Sequence, residues 1–151
     1  MPPPFLRYVL PLVFVAAFAL WKGGKPERIA ALLMVGGEAA SALFEHHDVN
    51  RRFGAVDPAL LVIDVLMAAL FLILSIKADR HWPIALSVLQ IVAVMSHLGF
   101  SLRQSQPLAY AVLEISPAYL GLLILLTGTV RHMLRGRRSG HDPSWRTSSQ
   151  K

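Results

Sequence analysis

The chain contains no cysteine, which excludes disulfides, thiolate-held metals, iron–sulfur ligation and cysteine nucleophiles, so any metal would have to be held by His, Asp or Glu. Charge is scarce as well. Only 16% of the 151 residues are Asp, Glu, Lys or Arg, against 54% hydrophobic residues, and the mean hydropathy is +0.51. This is too apolar for an ordinary water-soluble domain. The sequence has no HExxH helix and no internal repeat, and its apolar stretches are continuous rather than alternating, as a membrane β-barrel would require. In hydrocarbon, helices are then the backbone solution left.

Five apolar runs are present. They predict an all-α integral membrane bundle with spans at about 5–21, 26–44, 58–76, 82–102 and 108–130, forming a single domain over 1–138. The second run is the shortest and needs Lys25 to Arg28 in its first turn to reach across. Pro26 and Glu27 suit that turn, and Asp57 with Pro58 reads as an N-cap followed by the first helical residue of the third span. Residues 139–151, which are rich in Ser and include Gly140 and Pro143, read as a disordered basic tail.

The net charge of +6 does not point to nucleic acid, because the basic residues flank apolar runs and lack interleaved aromatic platforms. They carry topology instead. One side holds Arg7, Arg51, Arg52 and Arg103; the other holds Lys22, Lys25, Arg28, Lys77, Arg80 and the basic residues from Arg131 onward. The positive-inside rule therefore sets the N-terminus outside and the C-terminus in the cytoplasm. Arg131, Arg135, Arg137 and Arg138 form a juxtamembrane cluster suited to anionic headgroups. A competing reading takes the first run as a cleaved signal peptide at Ala17-Phe18-Ala19, but it reverses the charge bias.

Topology gives the intramembrane ionisable residues their interest, since each costs about 2.5–3.5 kcal/mol to insert and marks a site by default. Glu38, Asp64, His97 and Glu114 fall on four successive runs, each five or six residues from the outward end. A helical rise of 1.5 Å per residue sets them in one layer about 8–9 Å below the outer boundary. Gln90, Ser87 and Ser101 share a helical face with His97, while Glu38 and Ser41 lead up to Glu45 and the neighbouring His46 and His47. The stretch EHHDVNRR, Glu45 to Arg52, is then the wet outer loop forming a rim over this layer. Gly36, Gly37 and Ala40 are expected to let the second helix pack closely. The histidines at 81, 132 and 141 are assigned no site: His81 reads as an interface anchor beside Trp82, and the other two belong to the basic tail.

Two functions fit these residues. In one, the layer is an interhelical polar clamp in a non-catalytic accessory or scaffolding protein, which has a membrane-protein partner and no cofactor. In the other, it is an outer-leaflet site handling a divalent cation, protons or lipid-linked chemistry. A metal there would take His97 and Asp64 with Glu38 or Glu114, since carboxylate and imidazole suit Zn, Mn or Fe. Haem ligation by His97 with His46 or His47 is a remoter variant. No reaction is specified by either.

The stretches KADRHWPIALSVLQIVAVMSHLGF and PLAYAVLEISPAYL, with Asp64, resemble uncharacterised small multi-span proteins of the bacterial inner membrane. The resemblance implies an inner-membrane location and brings no activity, cofactor or substrate with it.

Overall fold

In the computed structural model, which describes residues 4–44, 58–78, 80–98 and 107–139, the regular elements are five helices. They are α1 (Pro4–Lys22), α2 (Lys25–Phe44), α3 (Pro58–Lys77), α4 (Trp82–Leu98) and α5 (Pro107–Ser139). Their starts follow the sequence signals: Pro58 and Pro107 open α3 and α5, and Pro26 and Glu27 occupy the first turn of α2. The basic segment after the fifth apolar run does not leave the helix, because α5 continues through Arg137 and Arg138. The tail beyond Ser139, Asp57 and the stretch EHHDVNRR lie outside the described residues.

The helices form a ring in which each packs on its neighbour in sequence and α5 returns to α1, with a further α2–α5 contact across the middle. Successive helices alternate in direction, so an odd ring must contain one parallel pair. That pair is α1 and α5: Tyr8 meets Tyr119 at one level and Gly24 meets His132 farther along both helices. The core is thin and built mainly from small or aliphatic residues, including Ala16, Ala19, Ala30, Ala31 and Leu125, with Phe71 as its aromatic member. Glycine completes it where helices approach most closely. Gly128 lies under the Trp82 indole and Gly121 under Met34 and Leu86.

On the close packing of α2, the structure splits the glycine pair. A Cβ on Gly37 would stand 3.0 Å from the Met67 Cε, whereas one on Gly36 meets nothing within 4 Å. Only Gly37 faces α3; Gly36 is on the outer surface, where helical rotation of about 100° per residue carries it.

Among the described residues, two helical stretches are long and apolar enough to cross a membrane, Pro58–Lys77 and the Ser116–Arg138 part of α5; Trp82–Met95 is apolar but shorter. The five-span layout thus meets that criterion in two helices. In α2 the obstacle is charge, since Lys25, Glu27, Arg28 and Glu38 all fall on one helix. The two long helices bury only 22% and 28% of their apolar windows within the bundle. A core helix of a soluble protein would bury most of its length.

Candidate polar sites at the two ends of the bundle

Of the layer expected from the sequence, Glu38 and Asp64 have described side chains, as do the supporting residues Gln90 and Ser87. Asp64 on α3 accepts a hydrogen bond from Gln90 Nε2 on α4 at 2.9 Å, a pairing between helices of opposite direction. Ser87 is buried, but its hydroxyl donates to the Pro83 carbonyl at 3.1 Å and so is engaged by its own helix. Glu38 is half-buried on α2 and lies within electrostatic reach of the Tyr8 hydroxyl. Tyr8 and Tyr119 meet edge to face, with ring centroids 5.5 Å apart and planes at 74°. Among the described residues, then, Asp64 and Gln90 join α3 to α4, and Glu38 on α2 lies near Tyr8 on α1, which in turn meets Tyr119 on α5. His97 and Glu114 sit on α4 and α5, but their side chains lie outside the described residues, as do Ser101, Glu45, His46 and His47. Among the described residues no three His, Asp or Glu side chains gather as a metal-sized group.

The deepest polar burial is at the other end, where the α1–α2 turn, the α3–α4 turn and the C-terminal half of α5 come together. Glu27 is fully buried, with 0% exposure, and neither carboxylate oxygen has a hydrogen-bond partner. Arg80, Ser75 and Thr129 are buried at the same end. The turn itself consists of Gly23 and Gly24. The Gly23 N–H closes the last turn of α1 on the Ala19 carbonyl at 2.8 Å, and the Gly23 carbonyl accepts from Arg28 Nε at 3.0 Å. The missing side chain of Gly24 lets α5 come close: the position of its absent Cβ is 2.9 Å from His132 Cε1, 3.2 Å from His132 Nε2 and 3.0 Å from Glu27 Oε2.

His132, assigned no site from sequence, is thus a bundle residue facing Glu27 across the turn. The pattern that could have found it is the spacing of Gly121, Leu125, Gly128 and His132 on one face of α5, continuous with the buried stripe. A count of basic residues hides it, because Arg131, Arg137 and Arg138 around it are exposed.

The chain matches no family model, no curated protein and no solved structure. The likeness to small inner-membrane proteins accordingly rests on the quoted residues alone.

Proposed function

We propose that the chain is a multi-pass integral membrane protein of the bacterial inner membrane, with five spans, the N-terminus outside, and an accessory or scaffolding role in a larger membrane assembly. The observation that carries the membrane reading is the inverted distribution of polarity. Phe14, Trp21 and Leu43 are 70%, 72% and 84% exposed, while Glu27 and Thr129 have no exposure. Large apolar side chains are exposed on all five helices, among them Leu32, Leu66, Val88 and Leu123. In water this would be one continuous apolar patch; in hydrocarbon it is the surface the solvent demands. The basic end of α5 then meets anionic headgroups.

The scaffolding role is favoured by the Asp64–Gln90 bond, because a carboxylate engaged by a neighbouring helix serves packing. A second reading keeps Glu38, Asp64, His97 and Glu114 as an outer-leaflet site for a divalent cation, protons or lipid-linked chemistry. It is favoured by Glu38, a half-buried carboxylate within electrostatic reach of Tyr8.

The lack of cysteine makes the topology directly testable. In intact cells, Asn50→Cys is expected to react with a membrane-impermeant maleimide, and Lys151→Cys only after permeabilisation. Release of the protein from membranes by alkaline carbonate, or the reverse labelling pattern, overturns the layout. For the role, Asp64→Asn and His97→Ala are compared with wild type by elemental analysis and by proton leak in vesicles. A stoichiometric metal or a leak abolished by both substitutions would replace the scaffold with the outer-leaflet site.

A further inference from the structure

A guanidinium keeps its charge in proteins, so a buried one needs acceptors on its N–H groups. Arg80 is 8% exposed, and its Nε and Nη2 make no hydrogen bond. Two further enclosed donors at the turn end, Arg135 Nη2 and Trp82 Nε1, also lack an acceptor. Arg80 and Arg135 each have another interaction; it is these particular N–H groups that are unserved. Glu27 does not serve them. It is the one buried carboxylate among the described residues, and neither of its oxygens accepts a hydrogen bond.

The course of the chain gathers these donors. Trp82 Nε1 is 3.1 Å from the Cβ position of Gly128 on α5. Because α4 runs opposite to α5, Arg80, which precedes Trp82, belongs beside the stretch of α5 that follows Gly128. Arg135 stands about two turns beyond Gly128 on the same helical face, and helical side chains lean toward the N-terminus, which carries its guanidinium back toward Trp82. The flank of α5 is open there, since a Cβ on the neighbouring Gly136 meets nothing within 4 Å.

We propose that Arg80, Arg135 and Trp82 form a binding site for one phosphate group, carried by an anionic lipid headgroup or by a free phosphate compound. A phosphate sets several acceptor oxygens around one centre, so it takes N–H groups arriving from α5 and from the α3–α4 turn together, and its oxygens match the guanidinium fork. The lipid source rests on the membrane reading, which sets this end at the cytoplasmic headgroup level, where an indole keeps its ring in the apolar layer and its N–H toward the polar one. The ligands are the buried Arg80 and the partly buried Arg135, not the exposed Arg131, Arg137 and Arg138 around them. Bound phosphate would tie α5 to the α3–α4 turn.

The full chain, purified in detergent, is titrated separately with phosphatidylglycerol, a neutral glycolipid lacking phosphate, and inorganic phosphate; native mass spectrometry and the unfolding temperature read binding. Wild type is expected to retain one phosphatidylglycerol per chain, roughly tenfold more tightly than the glycolipid. Arg80→Gln and Arg135→Gln are expected to lose roughly tenfold in affinity and Trp82→Phe about threefold, while the Arg137→Gln/Arg138→Gln double variant stays within about twofold. Circular dichroism checks the fold of Arg80→Gln, and the partly buried Arg135→Gln is the milder variant. An equal loss in the Arg137/Arg138 variant overturns the proposal, because attraction is then to the basic surface. So does equal retention of the glycolipid by wild type, unaltered binding in both Arg80→Gln and Arg135→Gln, or binding of neither phosphate ligand by wild type. Stabilisation by inorganic phosphate that Arg135→Gln abolishes assigns the site to a free phosphate compound; phosphatidylglycerol binding without it assigns the site to the lipid. Release of the chain from membranes by alkaline carbonate ends the membrane reading alone, and the inorganic phosphate titration then decides the site.

Discussion

At the turn end of the bundle Glu27, Ser75, Arg80 and Thr129 are all buried, whereas in the opposite half Glu38, Asp64 and Gln90 are only half-buried. The difference follows the connections. Two glycines join α1 to α2, and only three residues separate Ala78 from Trp82, where α4 begins, so helices at that end are held close. At the other end the helices are joined through the longer segments 45–57 and 99–106. Polar groups there meet as pairs between adjacent helices. Tightness of the turn, rather than hydropathy of the run, decides which polar residues are enclosed.

The strongest way to break that comparison is to widen the turn. A Cβ at Gly23 would collide with the Ala19 carbonyl oxygen and stand 2.7 Å from Glu27 Cβ. Neither is a flexible side-chain end, so Gly23→Ala is expected to cost about 3 kcal/mol or more. Thermal unfolding in detergent would register it as a large fall in the midpoint, and an unchanged midpoint would mean the turn is not the constraint. Next comes Gly128→Leu, which drives a branched side chain into the Trp82 indole, whose atoms lie 3.0–3.1 Å from the Cβ position. We expect a loss of about 2–3 kcal/mol, with quenching or a spectral shift of tryptophan fluorescence as a local readout; Trp21 and Trp145 replaced by Phe isolate the signal.

At the opposite end the expected effects are smaller. In a double-mutant cycle on Asp64→Ala and Gln90→Ala, the coupling should be about 0.6–1.7 kcal/mol, the range of interhelical hydrogen bonds in membranes. A coupling near zero would remove the 2.9 Å bond between α3 and α4 from the stabilising interactions and, with it, the main support for a clamp.

What was legible in the sequence divides along the same line. Helix positions followed from apolar run length and from Pro26, Pro58 and Pro107, because these signals are local. Asp64 and Gln90 were each singled out from the sequence, but their pairing was not: the depth count set Asp64 level with His97, and Gln90 lies seven residues away from His97 along α4. The enclosure of Glu27 was not legible. It depends on α5 passing over a glycine turn more than a hundred residues away in sequence, and on His132 facing inward although Arg131 and Arg137 do not. Charge counting assigned Glu27 to a helix first turn, where a carboxylate is stabilising by itself, and so gave no reason to look for a partner. The side chains of His97 and Glu114 remain expectations drawn from depth.

The smallest effect is the most diagnostic for a partner. Gly36 and Gly37 are adjacent on α2, yet only Gly37 has a neighbour, Met67, within 4 Å of its Cβ position. Replacing a helical glycine by alanine gains about 0.5–1 kcal/mol from backbone entropy when nothing opposes it. Gly36→Ala should therefore stabilise the isolated protein by roughly that amount. Gly37→Ala should be near neutral, because the flexible end of Met67 must shift by a few tenths of an ångström and offsets the gain. Thermal unfolding of the two variants in detergent measures the contrast. Repeating it in native membranes sharpens the reading: if Gly36→Ala stabilises in detergent but destabilises in the membrane, another helix closes on that face of α2, as a scaffolding role requires. If it stabilises in both, that face meets only lipid, and a partner must dock elsewhere on the bundle.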